Sequence, residues 1–264
     1  LTSALIDQSL ESPKVRAVSG ITLHVLTMNM HMGFGVLNRR FILPQLRDAV
    51  RSVSADLVFL QEVNGEQLNH AKNVEHWPST SQYEFLADSM WGHFSYGRNA
   101  VYPHGHHGNA LLSKYPIIRH DNLDISIHGS EQRGLLHCVL LVPEVGEVHA
   151  ICVHLGLKET HRQQQLKLLV ERVASLPADA PVIVAGDFND WRGKADAALA
   201  GSGLQEVFVQ HHGAAAKSFP ARFPLLRLDR IYLRNVNSDS PVVLSKRPWS
   251  HLSDHVPLAV DVTL

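Results

Sequence analysis

Apolar and polar positions alternate along ITLHVLTMNMH, residues 21–31, the pattern of a half-buried strand whose last residues emerge at a sheet edge. Asn29 is thereby placed at a strand end. Residues 38–53 carry Phe41, Ile42, Leu46, Ala49, Val50 and Val53 at helical spacing, and DLVFLQEV behind them reads as a buried strand that ends on Glu62. An irregular stretch, roughly residues 64–108, rich in Trp, Tyr, His and Gly, precedes a strand over NALLSKYPI. GLLHCVLLV and GEVHAICVHL form a predicted hairpin, and HRQQQLKLLVERVASL sets Leu166, Leu169, Val170, Val173 and Leu176 on one helical face. PVIVAGDFN opens with the near-continuous apolar run of a strand covered on both sides and stops on Asp187 and Asn189. LLRLDRIYLRN places Asp229 within a strand, and Ser253, Asp254 and His255 stand just ahead of a final one.

This alternation predicts an α/β sandwich, with two mixed, mostly antiparallel sheets packed face to face and helices outside. A length of 264 residues allows one large domain, and a hydrophobic fraction of 45% with 19% charged residues is that of an ordinary globular chain. Twenty-four Lys and Arg against 25 Asp and Glu leave a net charge of -1, so no global field draws the chain onto a polyanion. Cys138 and Cys152 are too few for a disulfide framework; the turn between them would set the two thiols on neighbouring strands, and no bond is expected. No apolar run is long enough to span a bilayer. LTSALIDQSLESPKV has neither a basic leader nor an apolar signal core, so the cytoplasm is the default expectation, although a trimmed leader would have taken the address with it.

Polar residues where apolar strands end are costly to desolvate without partners, and here the arrangement recurs five times: Asn29, Glu62, Asp187 with Asn189, Asp229, and Asp254 with His255. These types bind a hard divalent cation through oxygen and relay protons. Any one of them alone is as readily a turn former or a helix cap. No cysteine pair or His-x-x-x-His helix points to zinc.

With those residues stand TMNMH at 27–31, LQEV at 60–63, HGNALLSKYPI at 107–117, VHLG at 153–156, GDFND at 186–190, LDRIY at 228–232 and SDHVPL at 253–258. In this order they resemble the endonuclease/exonuclease/phosphatase superfamily across residues 21–264, which leaves residues 1–20 as an N-terminal extension before a single catalytic domain. The resemblance implies a four-layer αββα sandwich and a phosphoester hydrolase dependent on Mg2+, with Mn2+ as an alternative. By the same resemblance Glu62 is the principal metal ligand, with Asn29 and Asp254 near the same ion. Asp187 orients or deprotonates the attacking water, Asn189 holds the phosphate, and His255 contacts it under the orienting carboxylate of Asp229. His154 is similar to a second phosphate contact or acid in the deoxyribonuclease I and sphingomyelinase branches.

Asn109 is a candidate phosphate contact or a loop holder, Arg133 a candidate phosphate clamp or a surface ion pair, and Arg162 leans to the structural side. His104, His106 and His107, on a Gly-bearing loop without a carboxylate, read as solvated. Trp91, Phe94, Tyr96 and Tyr102, and Phe219, Phe223 and Leu225, are expected either to rim the site beside Arg98, Arg222 and Arg227 or to pack their loops. A rim of this kind suits nucleic acid, slightly favoured, or a phospholipid or small phosphorylated molecule. A binding module that has lost catalysis is a third reading, against which the chain keeps both Glu62 and the Asp254–His255 pair. No protein partner is predicted.

Overall fold

The computed structural model describes residues 20–35, 40–128 and 131–264. Its strands are β1 (Thr22–Asn29), β2 (Leu57–Gln67), β3 (His93–Tyr102), β4 (Gly105–Ser113), β5 (Ile117–Asp124), β6 (Gly134–Val142), β7 (Gly146–His154), β8 (Val182–Asp187), β9 (Gln205–Glu206), β10 (Asp229–Arg234), β11 (Asn237–Val243) and β12 (Leu258–Thr263). They form two six-stranded sheets, ordered β11-β12-β1-β2-β4-β3 and β5-β6-β7-β8-β10-β9. Among the described residues only β1 with β2 and β7 with β8 pair in parallel, and the other pairs are antiparallel. The helices are α1 (Leu43–Val53), α2 (Leu68–Asn73), α3 (Gln82–Ala87), α4 (Glu159–Ala174), α5 (Ala195–Leu199) and α6 (Val207–His212). Among the described residues no helix is long and apolar enough to cross a membrane.

Three apolar clusters make the four layers. Leu23, Val25, Leu57 and Phe59 of one sheet meet Cys138, Cys152, Ile183 and Ile231 of the other in the central core. On the outer face of the first sheet Leu26, Met28, Val58 and Leu60 take Leu46 and Val50 of α1 and Leu86 of α3. On the outer face of the second, Ile151, Val153, Val182 and Val184 take Leu166, Leu169 and Val173 of α4. The central strands are thus apolar on both faces because each face is covered, the condition under which alternation gives way to a continuous run. Both cysteines are buried and unpaired.

Several expected boundaries move. Residues 64–108 are not irregular: β2 runs on to Gln67, α2 and α3 follow, and β3 and the start of β4 complete the sheet edge. Gly and His interrupt the apolar pattern in that stretch, and the ladder overrides it by pairing β3 and β4 along their length. Helix α1 opens at Leu43 because Pro44, lacking an N–H, fits only the first turn, while Phe41 bridges back to Phe34. Except for Gly20, the expected extension over residues 1–20 lies outside the described residues.

In the second sheet His137 and His149 are buried and stacked 5.1 Å apart, their Nε2 and Nδ1 at 2.9 Å. Burial and the neighbouring His149 hold His137 well below the ordinary histidine range, and burial lowers His149 too. The folded state thus binds fewer protons than the unfolded one below about pH 6.5, so this contribution is complete above that pH and is lost as pH falls. His137→Leu is expected to flatten the acid-side decline of the urea midpoint between pH 7 and 5 by about 1 kcal/mol or more in unfolding free energy. An unchanged slope would show that the pair carries no such linkage.

Candidate active site

Strand register builds the site. In β8 Ile183 and Ala185 face the other sheet, so Asp187, two residues on, faces it as well. Its register partners are His154 at the end of β7 and Asp229 at the start of β10. The three side chains therefore form one row across three adjacent strands at the end of the central core. Opposite them Asn29 ends β1, and its Nδ2 donates to Asp187 Oδ2 at 3.2 Å and to Glu62 Oε1 at 3.3 Å. Gly186 ahead of Asp187 has φ +149, and a Cβ there would stand 2.0 Å from the Val153 carbonyl oxygen, so only glycine lets β8 approach β7 this closely.

Glu62 does not end its strand. Leu57, Phe59 and Gln61 hold the inner face, which assigns Glu62 to the outer one, but the pairing with β4 shifts between Leu60 and Val63 and Glu62 takes φ 55. This bulge turns the carboxylate toward Asn29. Asn189 (φ 49) and His31 (φ 46) are also left-handed. Such conformations cost on the order of 1–3 kcal/mol each, and three of them gather around one cleft.

That cleft, about 350 Å³, is lined by Asn29, Glu62, Arg133, His154, Asp187, Asn189, Asp254 and His255, with apolar walls that include Leu157, Trp191, Phe219 and Leu226. A larger hollow of about 570 Å³ against Phe34 and Arg40 has one carboxylate, Glu75, with its side chain 89% exposed, and gathers no facing acids. Ser253 donates to the Asn29 carbonyl at 2.7 Å and so ties the segment carrying Asp254 and His255 to the end of β1. His255 Nδ1 lies 2.8 Å from Asp229 Oδ2, and its Nε2 lies 3.8 Å from Asp187 Oδ2. His154 Nε2 stands 3.6 Å from the same Asp187 oxygen.

The two imidazoles differ in charge. Burial opposes protonation of His255, but the Asp229, Asp187 and Asp254 carboxylates outweigh it and raise its pKa to about 10. Burial, with Arg133 and His255 nearby, pushes His154 far down and leaves it neutral. Burial also raises Asp187, against the pull of His255 and the Asn189 N–H donated to Oδ1 at 2.9 Å.

Asn189 Nδ2 spends one hydrogen on the Leu155 carbonyl at 2.9 Å, which leaves the second for the cleft. Arg133 Nε also donates to that carbonyl, at 3.2 Å, which holds the guanidinium in the cleft wall. Asn109 does not line the cleft. Its Nδ2 donates to the Gly134 and Cys152 carbonyls at 3.0 and 3.3 Å and links the two sheets through the interior. Arg162 is buried and donates to the Gly156 and Leu157 carbonyls, which fixes the loop after β7.

Asp187, Asp229 and His255 could offer metal-ligand atoms within 4.8 Å of one another. The short His255–Asp229 contact needs a proton between the two groups, so that trio suits proton handling better. Glu62 and Asp254 fit a hard cation: both are oxygen donors on one wall, and His31 feels both, its pKa raised chiefly by the Asp254 carboxylate 3.3 Å away. Three carboxylates line the cleft and a fourth, Asp229, stands behind His255, against one guanidinium and one imidazolium, an imbalance that a divalent cation would offset.

His31 escaped the sequence reading, and His107 was expected to be solvated. His107 is largely enclosed, within electrostatic reach of Glu62, because β4 continues through the expected loop. His31 carried a signal only as the neighbour of Asn29 in TMNMH. Of the two expectations for the aromatic residues of 91–102, rimming the site or packing, packing holds for three: Trp91 is in the core and donates to the Ala55 carbonyl, and Phe94 and Tyr96 pack on Tyr83. Trp191 and Leu157 stand at the cleft instead.

A model of the Endonuclease/Exonuclease/phosphatase family matches residues 26–255. The chain belongs to this family. Members of the family are phosphoester hydrolases. The chain is 58% identical over 242 residues to the uncharacterized protein YbhP of Escherichia coli (strain K12), covering 91% of this chain and 96% of that one. The fold is that of the family protein from Beutenbergia cavernae DSM 12333 (TM-score 0.73, 20% identity, 92% of this chain and 72% of that chain). It is also that of D. rerio TDP2, solved in complex with a single-strand DNA product (TM-score 0.69, 19% identity, 92% and 99%).

In the metal-free protein the imidazole 15N shifts of His255 are expected to report a cation throughout pH 6–8, and those of His154 a neutral ring. Asp229→Asn removes the largest raising influence and is expected to bring His255 down by about one unit or more. A neutral His255 at pH 7 in the unaltered chain would contradict the charge assignment.

Proposed function

We propose that the chain hydrolyses phosphodiesters by in-line attack of water, with Mg2+ or Mn2+ as cofactor. The observation that carries this reading is the row His154, Asp187 and Asp229 facing Asn29 and Glu62 across one cleft, with His255 held cationic between Asp229 and Asp187. Phosphoryl transfer needs an oriented nucleophile and neutralisation of charge on the phosphate oxygens, and little other chemistry.

Glu62, Asp254 and Asn29 would hold the cation, which when bound neutralises charge on the phosphate oxygens. Asp187, pushed up by burial, orients a water and accepts its proton as the oxygen bonds to phosphorus. The bond to the leaving oxygen breaks with its electron pair, that oxygen takes a proton from solvent, and Asp187 returns to solvent the one it accepted. His255 donates from Nε2 to a phosphate oxygen, and Asp229 keeps it charged and aimed. Asn189 presents its second amide hydrogen, and neutral His154 and Arg133 add donors from the facing wall.

Glu62→Ala, Asp187→Ala and His255→Ala are each expected to lower turnover of bis-p-nitrophenyl phosphate by about 10³-fold or more with the circular dichroism unchanged. Chelation should abolish the parent activity, and added Mg2+ or Mn2+ should restore it. Rates close to the parent in any two of these variants would remove the mechanism.

A further inference from the structure

The mouth of the cleft is greasier than its floor. Leu157, Trp191, Phe223, Leu225 and Leu226 are 61%, 52%, 71%, 52% and 40% exposed. Leu157, Trp191 and Leu226 line the cleft itself. Phe223 and Leu225 belong to a loop pinched at its base, where Phe219 bridges Leu226, and its base forms a wall of the same cleft. None of these side chains is buried in the chain's own core: three stand around the cleft and two on the loop whose base walls it, and exposed apolar groups gathered in this way mark a docking surface.

The three loops that carry the rim, residues 155–158, 188–194 and 219–227, contain Lys158, Arg192 and Arg222, together with Lys194, which lies 3.7 Å from the Glu159 carboxylate, and Arg227, whose Nε donates to the Ala215 carbonyl. Their one carboxylate, Asp190, is buried and accepts from the Lys194 and Ala195 N–H groups. Each loop thus sets a cation next to an exposed apolar side chain: Lys158 by Leu157, Arg192 over the Trp191 ring at 4.5 Å, Arg222 by Phe223. Tryptophan and aliphatic side chains immersed beside cations that reach back to the surface are the chemistry of an anionic lipid interface. Nucleic acid would be gripped by stacking faces and phosphate contacts, yet three of the five rim residues are leucines, which offer neither.

We propose that this rim docks the cleft onto a bilayer containing anionic phospholipid, so that the phosphoester presented to the site belongs to a lipid of that surface. The substrate part of the proposal rests on the phosphodiesterase reading; the docking does not. Leu157, Trp191 and the loop carrying Phe223 enter the headgroup layer, and the flanking cations meet its phosphates.

Docking is measured without turnover, on the full chain carrying Asp187→Asn. Flotation with vesicles of phosphatidylcholine alone, and of phosphatidylcholine with phosphatidylglycerol, is expected to show binding at least about tenfold stronger to the anionic set. Phe223→Ser with Leu225→Ser should reduce it about tenfold while leaving the thermal midpoint in place, since both residues are exposed. A second measurement needs no rim variant. Trp91 and Trp249 are buried and the half-buried Trp77 packs on Phe41 and His70, outside the cleft lining, so quenching of tryptophan emission by brominated acyl chains should be lost chiefly with Trp191→Phe. Absence of binding to both vesicle sets, or binding indifferent to the loop variants, overturns the proposal. So does single-stranded DNA bound more tightly than vesicles through the same residues, which would give the rim to nucleic acid. If the vesicles bind while the unaltered chain fails to cleave a soluble diester, the phosphodiesterase reading falls and the docking stands.

Discussion

Three carboxylates lining one cleft and a fourth behind His255 repel one another, and they stay together because the packing of two sheets fixes where their strands end. Burial of the central core is worth far more than the repulsion costs, since each fully buried aliphatic side chain contributes about 1.5–3 kcal/mol. The core between Leu23, Val25 and Phe59 on one side and Cys152, Ile183 and Ile231 on the other brings Asn29 against Asp187. The acids are then compensated locally, by the Asn29 amide, the Asn189 N–H and the His255 imidazolium. The site is electrostatically tense because a rigid scaffold holds it, and that tension accounts for the raised Asp187, the cationic His255 and the neutral His154.

Strain is concentrated in the same place. Glu62, Asn189 and His31 adopt left-handed backbone that their side chains disfavour, and the surrounding ladders and hydrogen bonds hold them there. The bulge at Glu62 has a plain geometric effect: without it the carboxylate would follow strand parity to the outer face, among the side chains under α1. Further out, Arg162 and Asp190 use buried charge to fix the loops that carry Leu157 and Trp191. Rim and floor are therefore positioned by one set of elements, which lets an apolar mouth sit over a polar interior.

The sandwich and most strand-end residues were legible along the chain. Period-two alternation in β1 and the apolar run of β8 are local properties, and polar residues at the ends of such runs stand out because burying them unpaired is costly. That Asn29, Asp187 and His255 would be notable follows from one-dimensional pattern alone, and the ordered motifs carried the family resemblance. Residues 64–108 misled because sheet pairing, not local preference, makes β3 and β4.

Tertiary structure decided everything that depends on distance across the chain. Asn109 reads in sequence as a phosphate contact or a loop holder, and its Nδ2 hydrogens go to carbonyls 25 and 43 residues away. His107 reads as solvated, yet a strand continuation encloses it near Glu62. Which aromatic residues reach the mouth also depended on packing: Trp91 went into the core, and Trp191 stayed exposed. Pattern along a chain encodes which side chains must leave water. Which of them then meet, and with what charge, depends on register and on the facing of two sheets, quantities that no local window contains.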